Sequence, residues 1–243
     1  MDFVLSLIAR PLALLLQFLY SLIGNYGISL IVLTTVIKLA LYPSYKAQQL
    51  STLGMQDLQP KMREIQNRYA NDRNLMNQKM QELYQKEGVS PTAGCLPMIV
   101  QMIVIMGLFT LLRNPVQFMN SEKMVFAIHE SFLWIEDLAQ PDPWILPILA
   151  GIATFGSFLF TQSQTQSQNG MGDVMQKLMK YVFPIMIVWL AKSYPAGLAL
   201  YWFMSQFLQI FFNLRFDMLK KKMQQEKENQ GKRKPVRAGK GVN

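Results

Sequence analysis

Apolar stretches recur along this chain, and they constrain its fold more than any other feature. Five of them are long enough, or nearly long enough, to cross about 30 Å of hydrocarbon as helices: residues 27–42, 95–112, 144–160, 178–191 and 198–214. Only 16% of the residues are charged, whereas about a quarter are charged in ordinary soluble domains. The sequence therefore predicts an all-α polytopic membrane protein with five transmembrane helices.

The basic residues indicate how these helices are oriented. The net charge is +9, and Lys and Arg concentrate in residues 46–86 and from Arg215 onward. Basic loops mark the cytoplasmic side of a membrane protein. We therefore expect the amino terminus outside and the carboxyl terminus in the cytoplasm, with the Gln/Ser/Gly-rich linker 161–173 also in the cytoplasm.

The first segment, residues 1–25, has a polar and an apolar face. Ser6, Arg10, Gln17 and Ser21 recur at spacings that place them on one side of a helix. This pattern predicts an amphipathic helix that lies in the membrane interface. The alternative is a signal anchor that spans the bilayer.

The remaining divisions follow from changes in composition. Residues 26–45 form the first transmembrane helix, and residues 46–90 form a cytoplasmic hairpin of two helices that turns at Asn71-Asp72. Residues 91–215 contain four further transmembrane helices, with an outside interfacial loop at 113–143. Residues 216–243 form a basic cytoplasmic tail, which we expect to be disordered beyond about residue 230.

Lys38 is the most unusual residue of the apolar stretches. A charge at the centre of a membrane helix costs roughly 2.5–3.5 kcal/mol on insertion scales, so such a residue is a candidate functional site. Lys38 could extend its ammonium to the nearby interface. Alternatively, it could line a hydrated cavity with other polar residues of the membrane helices, namely Thr34, Gln101, Ser205 and Gln206.

The sequence offers no support for catalysis. It contains one histidine and one cysteine, and it has neither a glycine-rich phosphate loop nor a serine-elbow motif. We therefore expect no enzyme activity, no cofactor and no metal. A small-solute transporter or channel is one alternative function, although internal repeats typical of transporters are not apparent. A structural or ribosome-anchoring membrane protein is another.

Short motifs along nearly the whole chain suggest a family. In order, they include Asn25-Tyr26-Gly27, Tyr42-Pro43, Leu58-Gln59-Pro60-Lys61, Gly94-Cys95-Leu96-Pro97, Asp142-Pro143 and Pro195-Ala196-Gly197-Leu198 with Tyr201-Trp202. Each motif is short, but their combination and order resemble the YidC family of membrane protein insertases. That family has mitochondrial and chloroplast relatives, and some members carry a large outside domain; we expect this chain to be a short form without it.

The resemblance implies a hydrophilic groove that opens to the cytoplasm. In the family's usual pattern an arginine of the first span lies in this groove, and Lys38 occupies the matching position. The resemblance also implies groove roles for Thr34, Gln101, Tyr201 and Trp202. A client's apolar segment would leave toward lipid past the third and fifth spans.

The resemblance further implies a set of partners in the bacterial plasma membrane. Nascent membrane proteins would be the substrates, and the hairpin would receive them or the signal recognition machinery. The basic tail would contact the ribosome through phosphates. The Sec translocon and membrane lipids are further expected partners, whereas DNA is not.

Overall fold

The structure is a computed structural model that describes residues 2–89, 96–113, 115–118, 122–162 and 177–233. All regular elements of these residues are helical. The helices are α1 (Asp2–Ile23), α2 (Tyr26–Ala40), α3 (Tyr42–Arg68), α4 (Arg73–Glu87), α5 (Leu96–Arg113), α6 (Pro115–Phe118), α7 (Glu122–Ala127), α8 (Ile145–Gln162), α9 (Phe183–Ala191) and α10 (Ala196–Arg233). A π-helical turn, Leu178–Val182, leads into α9.

The helix α1 packs along α2 and α5. Its buried face is made of Ala9, Ala13 and Leu16, and the small alanines let the neighbouring backbones approach closely. Its most exposed apolar side chains are Leu7, Leu14, Phe18 and Leu22. The chain then turns into α2, which begins where the side chain of Asn25 accepts a hydrogen bond from Ile28 N at 3.0 Å.

The boundary predicted between residues 45 and 46 is not where the chain changes direction. The helix α2 ends at Ala40, and α3 begins at Tyr42 and continues to Arg68. The two helices meet at an angle of 51°. Pro43 lies in the first turn of α3, where its missing N–H is tolerated. Residues 42–45, assigned to the first transmembrane helix from sequence, therefore lie in α3 and not in α2.

The hairpin consists of α3 and α4, which pack against each other. Asp72 begins α4 by accepting a hydrogen bond from Leu75 N at 3.0 Å. Gly88 ends α4 in the left-handed conformation, at a φ of 64°, which favours glycine. Between the helices, Lys61 forms a salt bridge with Glu87.

The last helix is much longer than the predicted fifth span. The prediction ended the span at residue 214 and placed a separate tail from residue 216, whereas α10 continues without a break to Arg233. Lys, Met, Gln and Glu dominate this extension, and all four are good helix formers. The end of an apolar stretch therefore does not coincide with the end of the helix.

The loop between α5 and α8 was predicted to be interfacial, and its described residues are fastened to the helices. Glu130 accepts hydrogen bonds from Tyr20 OH and, at 2.8 Å, from Tyr26 N, at the junction of α1 and α2. Asp142 accepts from Trp134 Nε1 at 2.8 Å and from Trp144 N at 2.9 Å, just before α8. These two carboxylates tie the loop to the end of α1 and to the starts of α2 and α8.

Helix α10 is central to the arrangement, since it contacts α2, α5, α8 and α9. Among the described helices, none is by itself both long and apolar enough to cross a bilayer; α2 and the first part of α3 meet that criterion only together, across their bend. Several predicted features lie outside the described residues, namely the loop 90–94, Cys95, most of the linker 161–173 and the last ten residues of the tail.

Candidate functional site

A cavity with both polar and apolar side chains on its wall lies where α2 bends into α3, and α5 and α10 form its other walls. Its volume is about 120 Å³, enough for several water molecules. Among the described residues that line it, Lys38 carries the only formal charge. The lining residues are Lys38, Leu41, Ser44, Tyr45, Gln48, Val100, Gln101, Gln209 and Phe212.

The Lys38 side chain is half-buried and reaches across the cavity. Its Nζ donates to Gln209 Oε1 on α10 at 3.2 Å. None of the salt bridges in the described part of the chain includes Lys38. The ammonium is thus held between helices by a neutral acceptor, and its charge is not balanced by a neighbouring carboxylate.

Three of the other predicted site residues meet at the contact between α5 and α10. Gln101 Nε2 donates to Ser205 Oγ at 3.1 Å and to Tyr201 OH at 3.3 Å. Ser205 and Tyr201 are buried, while Gln101 is partly exposed on the cavity wall. The structure therefore connects Gln101, Tyr201 and Ser205 to the same polar region as Lys38.

The remaining three predicted residues lie elsewhere. Thr34 is fully buried, and its hydroxyl donates to Leu30 O at 2.7 Å within its own helix. Trp202 Nε1 donates to Thr154 Oγ1 at 2.9 Å. Gln206 Oε1 accepts from Ser157 Oγ at 2.8 Å. Trp202 and Gln206 therefore bond α10 to α8, and Thr34 is not among the residues that line the cavity.

Sequence reasoning missed several residues of the cavity wall. Gln209 follows Ser205 by four residues, and Asn213 follows Gln209 by four more, so a polar face of α10 was readable from the spacing. Ser44 and Tyr45 were not recognised at the end of the predicted first transmembrane helix, and Gln48 was assigned to the hairpin. They reach the cavity because α3 begins at Tyr42 and departs from the direction of α2 by 51°.

A second, apolar groove of about 100 Å³ opens between α5, α9 and α10. The family resemblance led us to expect passage past the third and fifth spans, which are α8 and α10. That route stays a prediction; in the structure these two helices are joined by the bonds of Trp202 and Gln206. The apolar groove lies along the second, fourth and fifth spans, lined by Ile105, Ile187, Leu190, Ala191, Tyr194, Leu198, Ala199 and Trp202.

Metal or cofactor ligands are not concentrated at this site. The cavity offers amide, hydroxyl and ammonium groups, and the described residues include no cluster of His, Cys, Asp and Glu that could hold a metal ion. Such a cavity can hydrate a polar segment and attract negative charge.

The chain is similar to known proteins along most of its length. A sequence model of the 60Kd inner membrane protein family matches residues 18–227. The membrane protein insertase YidC of Fusobacterium nucleatum is 37% identical over 211 residues, which cover 86% of this chain and 95% of the relative.

Other relatives are much longer than this chain. The membrane protein insertase YidC of Geobacter metallireducens is 37% identical over 84% of this chain, and the one of Psychromonas ingrahamii is 39% identical over 82%. The matched regions span about a third of those relatives, 36% and 33% of their lengths.

A crystal structure of an active YidC insertase with its first transmembrane domain resolved is similar in fold. It has a TM-score of 0.59 and 27% identity, and the match covers 84% of this chain and 45% of that one. The predicted all-α polytopic fold is thereby confirmed. The family resemblance found in the sequence motifs is confirmed as well. The chain belongs to the YidC family, the family of the 60Kd inner membrane protein.

Proposed function

We propose that this protein is a membrane protein insertase. It binds nascent membrane proteins in the polar cavity, promotes insertion of their transmembrane segments and moves short polar tails outward. The observation that carries this proposal is the position of Lys38. This cation lies on the wall of a cavity between helices, and it contacts the neutral Gln209 and no acidic residue among those described. The Fusobacterium nucleatum insertase, matched over 95% of its length, supports the same function.

The physical task of an insertase is to lower the cost of moving polar groups through hydrocarbon. Each unsatisfied peptide group costs several kcal/mol there. A hydrated cavity that reaches part of the way shortens the costly path. A positive charge in the cavity attracts an acidic tail by about 1 kcal/mol at 4 Å in water and by about 4 kcal/mol at an effective dielectric constant of 20.

The apolar part of the client needs a different route. The groove between α5, α9 and α10 presents aliphatic and aromatic side chains such as Leu198, Trp202 and Ile105. On α5, Ile105 follows Gln101 of the cavity wall by one helical turn. A client helix would transfer from the cavity along this groove into lipid, driven by its own hydrophobic burial. The process involves no covalent step, so this proposal describes a protein that is not an enzyme.

We infer the topology and partners from the same proposal. Five spans place the amino terminus outside and the hairpin and the end of α10 in the cytoplasm of a bacterium. The basic end of α10, with Arg215, Lys220, Lys221 and Lys222, suits the phosphates of a ribosome. The hairpin would receive clients from the signal recognition machinery, and the protein would act alone or with the Sec translocon.

Insertion of a purified client tests the function directly. A single-span client with an acidic tail is added to vesicles that contain only this protein, and protease protection of the tail is measured. We expect insertion by the wild type and by Lys38→Arg. Lys38→Ala should insert about tenfold less, which corresponds to a loss of about 1.4 kcal/mol of attraction. Insertion no greater than in protein-free vesicles would refute the function.

A further inference from the structure

Gln209 connects Lys38 to a network that lies deeper in the helix bundle. Its Oε1 accepts from Lys38 Nζ at 3.2 Å, and its Nε2 donates to Asn213 Oδ1 at 3.2 Å. Asn213 is fully buried. It also accepts from Tyr45 OH on α3 and donates from Nδ2 to Ser157 O on α8 at 3.2 Å. The side-chain amide of Asn213 therefore connects the cavity to both α3 and α8.

The chemistry of this network determines which way each amide faces. The Ser157 carbonyl can only accept a hydrogen bond, so Asn213 must present its NH₂ group there. The carbonyl of Asn213 consequently faces Gln209 and Tyr45. Gln209 must then present its NH₂ group to Asn213, which leaves its own carbonyl toward Lys38. The orientation required by the Ser157 carbonyl is thus the one in which the Gln209 carbonyl accepts from Lys38.

The neutral acceptor has an electrostatic consequence. One of the three N–H donors of Lys38 is used by Gln209, while its full charge remains available to the cavity. Around Lys38, the cavity wall carries no other formal charge among its described residues. Asp217 interacts electrostatically with Tyr45, at the other end of the network.

We propose that Gln209 is a positioning residue that determines specificity for acidic client segments. It holds the Lys38 ammonium toward the cavity without neutralising it, and Asn213 keeps its amide in the required orientation. This inference rests on the proposed insertase function and deepens it, since it names the group that keeps the charge of the cavity uncompensated. A glutamate at the same position would pair with Lys38 and remove the attraction.

The test compares two clients that differ only in the tail. One tail carries Asp and Glu, and the other carries Asn and Gln at the same positions. The measured quantity is the ratio of the two insertion rates in vesicles that contain only this protein. We expect Gln209→Glu to lower this ratio about tenfold, as Lys38→Gln does, because the new carboxylate neutralises the nearby ammonium. The melting temperature of Gln209→Glu, followed by tryptophan fluorescence in detergent micelles, shows whether the variant is folded.

Gln140→Glu serves as the matched control. It makes the same chemical change and the same change in net charge at an exposed side chain of the loop before α8. We expect it to leave the ratio of insertion rates unchanged. A ratio lowered equally by Gln140→Glu would mean that net charge, not the position of Gln209, is responsible, and would overturn the proposal.

A double-mutant cycle controls for disruption of the hydrogen-bond network by Gln209→Glu. Gln209→Met removes the acceptor without adding charge, so it should lower the ratio in the presence of Lys38 and have no effect on the ratio in the Lys38→Gln background. An effect of equal size in both backgrounds would overturn the proposal.

Different results would refute the insertase function and the role of Gln209. If the wild type inserts neither client, the insertase function is refuted. If the wild type prefers the acidic tail and Gln209→Glu keeps that preference, only the role of Gln209 is refuted. If the wild type inserts both clients at the same rate, the cavity does not select for charge, and the role of Gln209 is likewise refuted.

Discussion

Glu130 holds the junction of α1 and α2, and replacing it gives a quantitative test of that junction. Its Oε2 accepts from Tyr26 N at 2.8 Å, and its Oε1 accepts from Tyr20 OH. Hydrogen bonds to a charged group contribute about 1.5–3 kcal/mol each. Glu130→Ala removes both bonds, but the partly exposed Tyr20 can bond to water instead. We therefore expect a loss of about 2–4 kcal/mol in the free energy of unfolding.

The expected change in melting temperature follows from the size of the chain. A chain of 150–250 residues loses about 2–4 °C in Tm per kcal/mol, so Glu130→Ala should melt about 4–16 °C below the wild type. Glu130→Gln keeps the shape: its carbonyl can accept from Tyr26 N, and its NH₂ group can donate to the Tyr20 oxygen. It should lose only about 1 kcal/mol.

Tryptophan fluorescence during heating in detergent micelles measures these differences. Tyr20→Phe provides an intermediate case, because it removes one of the two bonds and leaves the other. The reasoning would be refuted if Glu130→Ala melted within about 1 °C of the wild type, since the carboxylate would then contribute nothing beyond what water supplies.

Two further predictions concern packing and the hairpin. A Cβ at Gly27 would lie 2.4 Å from the Phe132 ring, so Gly27→Ala should cost about 1–3 kcal/mol in a thermal melt. Gly54→Ala, whose Cβ would be 3.6 Å from its nearest neighbour, should instead raise Tm, and a loss at both sites would argue against the Phe132 contact. The Lys61 ammonium lowers the pKa of Glu87 below its ordinary value of 4.5. The salt bridge therefore stabilises the hairpin above that pH and is lost as pH falls through the lowered pKa. The distribution of distances between spin labels on α3 and α4 should broaden on acidification in the wild type but not in Lys61→Met. Equal broadening in both proteins would exclude this salt bridge as the cause.

Much of the helical order could be predicted because its signals are local. Asn25 and Asp72 begin helices by accepting from nearby backbone N–H groups, and such capping depends on only a few neighbouring residues. The bend at Leu41 and the length of α10 were not predictable in the same way. An apolar stretch of sequence indicates which residues can lie in hydrocarbon. It does not indicate where a helix ends, because polar residues such as Lys, Gln and Glu also favour helical backbone.

The candidate site was predictable only in part, for a related reason. Polar residues within apolar stretches identified Lys38, Gln101 and Ser205, which the structure connects around one polar region. Trp202 and Gln206 lie on the same helix but bond to α8. Which face of α10 meets which neighbour depends on packing among distant segments, and no single stretch of sequence contains that information.

The unbroken length of α10 has a mechanical consequence. Its 38 residues extend over about 57 Å at 1.5 Å per residue. The same rod carries Gln209 and Asn213 near its middle and the lysines 220–222 beyond them. A load or twist applied to the basic end is therefore transmitted along the helix to the amides that orient Lys38. Attachment of that end to a large particle would restrain the axial rotation of the cavity wall from a distance.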